Sequence, residues 1–409
     1  MESRGDSRRH FLGKFATGIA GTLAAVPAQV LGANERIRVG FIGFGDRATD
    51  LYNWIKLCPN TEVAAFCDIY TKQLERAKGL APAAATYLDY RRLLDDSAID
   101  AVVIATPQHL HAEHFCAAIG AGKHVYQEKT MAFSVDHAKK MRAAFQKDGG
   151  KHTVQIGHQS CSSGHMIDAQ QWLSDPQRLG KITAIDMNMY RNTPHGKPQW
   201  SRTARITPDM NAENILWKSF LGDAPAHDFD ANRYINWRYF FDYSGGNVYE
   251  NMCHQVSFWY KALKLQVPRA VTMNGGIYLW KDGREVPDTM NVSIEQPEEM
   301  LITWASGFGN NQLGITEDVL GDNGTIQRAN QLHYLPQKMN LPAGTEMTGN
   351  AKAVPHEHML NFFDCVRNGK EPNCPFDLGF RVAIACRMAV DSYRFGRTMR
   401  WDAKKEDFA

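Results

Sequence analysis

The chain has no block of charge. Of 409 residues 46 are basic and 44 acidic, a formal net charge of +2. The first 33 residues hold Arg4, Arg8, Arg9 and Lys14 against Glu2 and Asp6, so the remainder balances at 42 against 42. A neutral body without a basic patch excludes nucleic acid and anionic membrane surfaces as principal partners. The eight cysteines (Cys58, Cys67, Cys116, Cys161, Cys253, Cys365, Cys374 and Cys386) include no Cys-x-x-Cys pair and no zinc-type spacing. No metal is expected. Several cysteines sit in apolar runs such as Ala65-Phe66-Cys67 and read as buried thiols, with a disulfide among Cys365, Cys374 and Cys386 left open. Glycine (33) and proline (17) are too scattered for a fibrous or low-complexity chain. With 44% hydrophobic residues the chain can build a sizeable core, and its length points to two domains.

What is present begins with an address. Ser7-Arg8-Arg9-His10-Phe11-Leu12-Gly13-Lys14 is followed by a mildly apolar stretch from Phe15 to Val26. Two small-residue cleavage patterns come next, ending at Ala28 and Ala33. This looks like a twin-arginine export signal, too short and too weakly apolar to anchor the chain permanently in a membrane. The reading implies export, already folded, to the periplasm or beyond through the twin-arginine machinery.

From Arg36, short apolar runs alternate with segments of helical period. Strands are predicted at 38–43, 62–67, 101–105, 123–127 and 152–157, with helices between them, which implies a parallel doubly wound sheet. Past residue 160 the alternation gives way to longer loops and β-rich stretches. The expected organisation is a signal at 1–33, a nucleotide-binding domain at 34–158 and a second α+β domain at 159–409. In the first turn, Gly43-Phe44-Gly45-Asp46-Arg47-Ala48 carries the dinucleotide fingerprint with its permitted third alanine. One glycine makes the tight turn, the next lets backbone approach a pyrophosphate, and the small third residue lets helix pack on strand. Asp68 ends the second strand, placed for the adenosine ribose hydroxyls and repellent to a 2′-phosphate. With no arginine among Ile69, Tyr70, Thr71 and Lys72, NAD is expected rather than NADP.

Two further segments are more specific, Ala105-Thr106-Pro107-Gln108-His109-Leu110-His111 and Gln127-Glu128-Lys129-Thr130. With the glycine turn, and with Asp242-Tyr243-Ser244-Gly245-Gly246 and Phe362-Phe363-Asp364 downstream, they resemble the glucose–fructose oxidoreductase and inositol dehydrogenase (Gfo/Idh/MocA) family. The resemblance implies that Thr106, Pro107 and His111 line the nicotinamide side and Glu128 touches its ribose. It makes Lys129 the catalytic lysine and places Gln159 near the nicotinamide. The family's Glu-Lys-Pro becomes Glu-Lys-Thr here, and a non-proline cis bond at that place costs about 2.5–4 kcal/mol. After Gly245-Gly246 the family usually has Asp followed four residues later by histidine; here Glu250, longer by a methylene, and His254 stand at those places. On an α-helix such a pair shares one face. His254 then reads as a general base for a sugar hydroxyl, with Glu250 holding it or the substrate. The resemblance also implies an open, mostly antiparallel second sheet and a homo-oligomer, a dimer or tetramer.

Oxidising a secondary alcohol removes a hydroxyl proton while hydride leaves carbon. A histidine titrates near neutrality, and an ammonium beside the same oxygen stabilises the developing alkoxide. The aromatic- and arginine-rich stretch from 190 to 243 suits sugar binding and subunit contact equally. Tyr190, Arg191 and Arg238 are its substrate candidates. His356-x-His358 reads as a surface or substrate-loop feature, since no acidic cluster completes a zinc site. The leading reading is an exported NAD-dependent oxidoreductase of a sugar or glycoside with a carried, internally recycled cofactor. One alternative is a glycosidase working by C3 oxidation and elimination, like the NAD-dependent α-N-acetylgalactosaminidases, whose pattern lacks the lysine kept here as Lys129. The other is a non-catalytic sugar-binding relative.

Overall fold

The short apolar runs of the first half become strands because both of their faces can be buried. The computed structural model describes residues 36–193, 197–337, 346–349 and 356–409, so the expected export signal lies outside the described residues. β1 (Ile37–Ile42), β2 (Thr61–Cys67), β3 (Ala85–Tyr87), β4 (Ala101–Ile104), β5 (His124–Gln127) and β6 (Val154–Ile156) form one sheet. Its order is β3-β2-β1-β4-β5-β6 and every pairing is parallel. Helices α1 (Asp46–Ile55), α2 (Thr71–Leu80), α3 (Tyr90–Leu94), α4 (His111–Gly120) and α5 (Val135–Asp148) carry the chain back between strands. Local chemistry sets their ends. The Ser134 hydroxyl accepts from the His137 amide at the start of α5, and Gly149 closes it at φ 66°. The order reverses between β1 and β4, which opens a crevice at the strands' C-terminal ends.

The second sheet has ten strands: β7 (Ile182–Tyr190), β8 (Ala270–Gly276), β9 (Thr289–Glu295), β10 (Leu301–Gly307), β11 (Ile315–Gly321), β12 (Gly324–Arg328), β13 (Leu332–Pro336), β14 (Met347–Thr348), β15 (Met399–Asp402) and β16 (Asp407–Phe408). Only β7 with β10 pairs in parallel; the other pairings are antiparallel. Buried and less buried residues alternate along β7 and β9, so one face meets the core and the other looks outward. Helix Phe376–Phe395 packs on β8 and also reaches the first sheet. A side chain on its Gly379 would come within 2.5 Å of Ile156, so glycine permits that approach.

One apolar cluster runs from Ile104 and Val125 through Met252 and Phe258 to Ile294 and Trp304. A second joins Phe41 and Phe66 to Phe362 and Phe363 of helix Glu357–Asn368, so a late helix covers the first sheet. The aromatic-rich stretch makes a third, with Trp217, Phe220, Leu221, Tyr239, Phe240 and Tyr243 packed together. Trp217 stacks on Phe220 at 5.0 Å. Most of those aromatics therefore build an interior.

Two readings are corrected. All eight cysteines are free and all but Cys116 are buried. No disulfide joins Cys365, Cys374 and Cys386, and the thiol beside Cys374 is Cys161. His358 is buried rather than a surface residue, bridging Ser162 Oγ at 2.6 Å and the Ile156 carbonyl at 2.9 Å. Among the described residues no helix is long and apolar enough to cross a membrane.

Candidate active site

The strand ends deliver their turn residues to a single cavity of about 740 Å³. At the end of β1, Gly43 has φ 82° and leaves only 2.7 Å between a would-be Cβ and the Thr106 methyl, so the turn itself requires glycine. Gly45 is different. Its φ of −79° suits any residue, and an added Cβ would meet no protein atom within 4 Å. Glycine there leaves room for something outside the chain, and Gly45 lines the cavity, as a pyrophosphate cradle requires. Phe44 turns its ring into the core, and Ala48 is fully buried under the sheet.

At the end of β2, Asp68 also lines the cavity. Its carboxylate accepts from the Phe44 amide at 2.7 Å and the Tyr70 amide at 2.9 Å. Burial pushes its carboxyl up, against the pull of those amides and of Arg76. Arg76 was invisible to a reading confined to the residues directly after Asp68. It lies 5.0 Å over the Phe44 ring, donates to the Phe44 carbonyl and reaches Thr49 Oγ1 at 2.7 Å. Arg47 leaves the cradle for Glu128, with Nε 2.8 Å from Oε1.

The β4 and β5 turns meet on the wall of the same cavity. Thr106, Pro107, Glu128 and Lys129 line the cavity. Glu128 accepts from Gln159 Nε2 at 3.3 Å and from the Lys129 amide at 3.1 Å, and Gln159 also donates to the Tyr126 hydroxyl at 3.0 Å. His111 stands between the Thr130 carbonyl (2.9 Å from Nδ1) and the Thr106 carbonyl (3.0 Å from Nε2). Burial lowers its pKa, and a neutral ring donates to only one of them at a time. His111 thus ties the two turns together. The Lys129–Thr130 peptide is cis.

Lys129 meets Glu250. Nζ lies 3.0 Å from Oε2, 3.3 Å from the Glu250 carbonyl and 3.4 Å from the Tyr249 carbonyl. The other carboxylate oxygen accepts from Gln108 Nε2 at 2.8 Å and pairs with Arg238 Nε at 3.2 Å. Burial alone would raise Glu250, but Arg238 and Lys129 together outweigh it and hold the carboxyl at about 2. Gln108, whose segment was singled out without a role for it, is fixed by the Gly245 amide at 3.3 Å.

The expected α-helical pairing of Glu250 with His254 is not observed. Val248–Met252 is a π-turn ahead of helix Cys253–Leu263, and its wider winding changes the phase between the two residues. Glu250 faces Lys129 and Arg238; His254 packs edge-to-face on His158 with ring centroids 6.0 Å apart. Burial drives both imidazoles down, His158 to about 3 and His254 well below its usual range. Both nitrogens of the fully buried His158 lack a partner. The potential ligand atoms of His158, Cys253 and His254 lie within 4.8 Å of one another. A tetrahedral zinc holds its ligand atoms roughly 3.3–3.8 Å apart, and Cys253 Sγ is engaged with the Tyr249 carbonyl at 3.0 Å. Of the substrate candidates, Arg238 lines the cavity, while Arg191 bonds Asn251 Oδ1 at 3.2 Å and the Tyr190 amide bonds the Gly314 carbonyl. Arg202 and Arg205, which had no assigned role, stand on the cavity wall.

Residues 37–158 match the Gfo/Idh/MocA family, described as an oxidoreductase family with an NAD-binding Rossmann fold. The chain is 28% identical over 160 residues to inositol 2-dehydrogenase/D-chiro-inositol 3-dehydrogenase of Lactiplantibacillus plantarum, covering 38% of this chain and 45% of that one. Across the curated relatives it matches first, it spans about two-fifths to one-half of their length. In fold it is similar to the aldose–aldose oxidoreductase of Caulobacter crescentus, solved with glycerol (TM-score 0.66, 19% identity, 89% of this chain and 99% of that one). It is also similar to the WlbA dehydrogenase of Bordetella pertussis, solved with NADH and UDP-GlcNAcA (TM-score 0.67, 17% identity, 90% and 99%). Residues 37–158 thus match an NAD-binding Rossmann fold, and NAD is the favoured cofactor, as the sequence led one to expect.

Proposed function

We propose that this protein oxidises a secondary hydroxyl of a sugar or glycoside with NAD, carried through export as a bound group. The observation that carries the reading is the Lys129–Glu250–Arg238–Gln108 cluster, on the wall of the same cavity as the Gly43–Gly45 cradle and Asp68. The residues present fit a dinucleotide, since the glycine turn, the start of α1 and Asp68 line one cavity and Gly45 leaves the backbone open to it. When bound, the nicotinamide supplies the hydride acceptor.

The chain's own residues do the rest. Lys129, held by three acceptors, presents a fixed ammonium to the substrate oxygen and stabilises the alkoxide that forms as the proton leaves, an effect that grows in a site closed to water. Glu250 stays ionised and keeps that ammonium in place, while Arg238 and Gln108 fix Glu250. His254, a half-buried ring held neutral by desolvation and close enough to Lys129 to feel its charge, takes the hydroxyl proton in this reading from beside the cavity rather than from its lining. The carboxylate of Asp68 on the ribose side disfavours a 2′-phosphate, which supports NAD over NADP. Export through the twin-arginine route is part of the proposal because it explains a carried cofactor, and a carried cofactor needs a second sugar or other carbonyl acceptor to reoxidise it.

Turnover of a panel of aldoses and glycosides, measured with and without added NAD, tests this. Oxidation of one sugar coupled to reduction of another, unchanged by added NAD, is the expected result. Turnover strictly dependent on added NAD would remove the carried-cofactor part, and no nicotinamide reduction by any sugar would remove the substrate class.

A further inference from the structure

We infer that the segment from Trp200 to Leu216 is a strap that completes the pyrophosphate site and retains the dinucleotide, with Arg202 and Arg205 as its phosphate-facing cations. This rests on the NAD reading above and adds to it a second wall drawn from the other half of the chain. Arg202, Arg205, Thr207 and Met210 line the same cavity as Gly43, Gly45 and Asp68.

The strap is latched to the nucleotide-binding half at both ends. At the glycine turn, Arg205 Nη1 lies 2.7 and 2.8 Å from the two Asp46 oxygens, and Arg202 Nε lies 3.2 Å from Oδ2. At the end of β2, the Thr71 amide donates to the Asn214 carbonyl at 3.1 Å and the Leu216 amide to the Ile69 carbonyl at 3.0 Å. Beside them Lys72 Nζ pairs with Asp209 at 2.6 Å. These anchors bracket the stretch where the adenosine and pyrophosphate of a dinucleotide lie in this fold.

The strap also has internal structure. The Arg202 amide donates to Asn236 Oδ1 at 2.7 Å, and Asn236 Nδ2 holds Thr203 Oγ1 at 3.1 Å. Asn214 Nδ2 holds the Asp209 carbonyl at 2.7 Å, and the Asn211 amide donates to Asn214 Oδ1 at 3.1 Å. Trp200, which begins it, sits at φ 65° with its ring edge-on to Phe308 at 5.4 Å.

Electrostatics explains why two arginines are needed. Asp46 is the first residue of α1, where the helix dipole and free amides favour an anion. A carboxylate at that place repels an incoming phosphate and competes for its donors. Burial would raise Asp46, but Arg205 and Arg202 outweigh it and keep the carboxyl below its ordinary value. Two guanidinium groups against one carboxylate leave the mouth with a surplus positive charge. The strap therefore converts a repulsive helix start into a phosphate site, and the dinucleotide leaves only when the latches open.

The test follows release of NAD alone, with no sugar present. Protein loaded with NAD is passed into nucleotide-free buffer and the retained nucleotide is measured over time. R202A/R205A is expected to release NAD roughly tenfold faster or more, because two charge-assisted contacts are lost. D209A, which cuts only the Lys72 latch, should accelerate release less. R202K/R205K should recover part of the retention. K181A, which removes an exposed pair with Glu299 on the second sheet, should match wild type. Melting of the nucleotide-free variants checks that each is folded. Wild-type retention in R202A/R205A would overturn the strap while leaving the NAD reading intact. Failure of the wild type to bind NAD at all would overturn both, and is seen before any variant is made.

Discussion

The two ends of the cavity hold their carboxylates by different means. At the adenosine end, Asp68 is fixed by two backbone amides from turns that the sheet order dictates. At the reactive end, Glu250 is fixed by three side chains, Lys129, Arg238 and Gln108, two of them 121 and 142 residues away in sequence. Backbone donors come with the fold and survive most substitutions. Side-chain partners depend on each other, so the reactive end is the more fragile of the two. Its ammonium sits in a buried ion network that tolerates no missing member.

Removing the hub should show this most strongly. E250A leaves Lys129 and Arg238 largely buried without their carboxylate and should cost about 3–5 kcal/mol of stability, read as a fall in the urea midpoint. A loss under about 1 kcal/mol, ordinary for a surface pair, would mean that the network is well solvated and the contrast false. The adenosine end yields a finer comparison. G43A must put a side chain at positive φ against Thr106 and should destabilise the nucleotide-free protein by about 1–3 kcal/mol. G45A should leave that stability within about 0.5–1 kcal/mol of wild type and weaken NAD binding. If G45A instead destabilised the free protein and bound NAD normally, the cradle would be a packing feature.

The effect of pH is spread over more groups than either of these. Burial lowers the folded pKa of His109, His111, His114, His158, His254 and His358. The unfolded chain therefore takes up protons first, so stability present above about pH 6.5 declines as pH falls below it. Glu250, at about 2 when folded, adds its loss only below about pH 4.3, the usual glutamate value. Melting temperature should be flat from pH 8 to 7 and fall from about 6.5 downward, less steeply in H158Q. A flat profile down to pH 5 would show that these rings are not neutral and buried.

How much of this was legible follows the same divide. The glycine turn, Asp68 and the strand ends at Thr106 and Lys129 are local: each is a few residues whose spacing fixes both backbone and role. The first sheet followed from the same patterns, apart from β3, an edge strand of three residues. In the second half, stretches near 181–190, 269–278, 290–296, 299–304, 312–317 and 324–328 read as strands from the sequence, which traces the second sheet as far as β12. β13 to β16 went unseen because they have two to five residues each and little pattern to read. The relation of Glu250 to His254 was misread because a π-turn leaves no mark on apolar spacing, and five residues of sequence look the same in either winding. Gln108 and the strap were hidden for another reason: their partners are distant in sequence, and only the folded chain brings Arg205 to Asp46, 159 residues away.

The central claim, that one cavity holds a carried nicotinamide against the Lys129 ammonium, is tested most directly in a single turnover. Purified protein, with no nucleotide added, is mixed with an oxidisable sugar and the reduced-nicotinamide absorbance band is followed, beside K129M. The account predicts a band approaching one equivalent per chain in wild type, forming about 10²–10³ times more slowly in K129M, as for loss of one oxyanion donor, with its bound nucleotide retained. Equal rates in the two proteins, or a band that appears only when NAD is supplied, would contradict it.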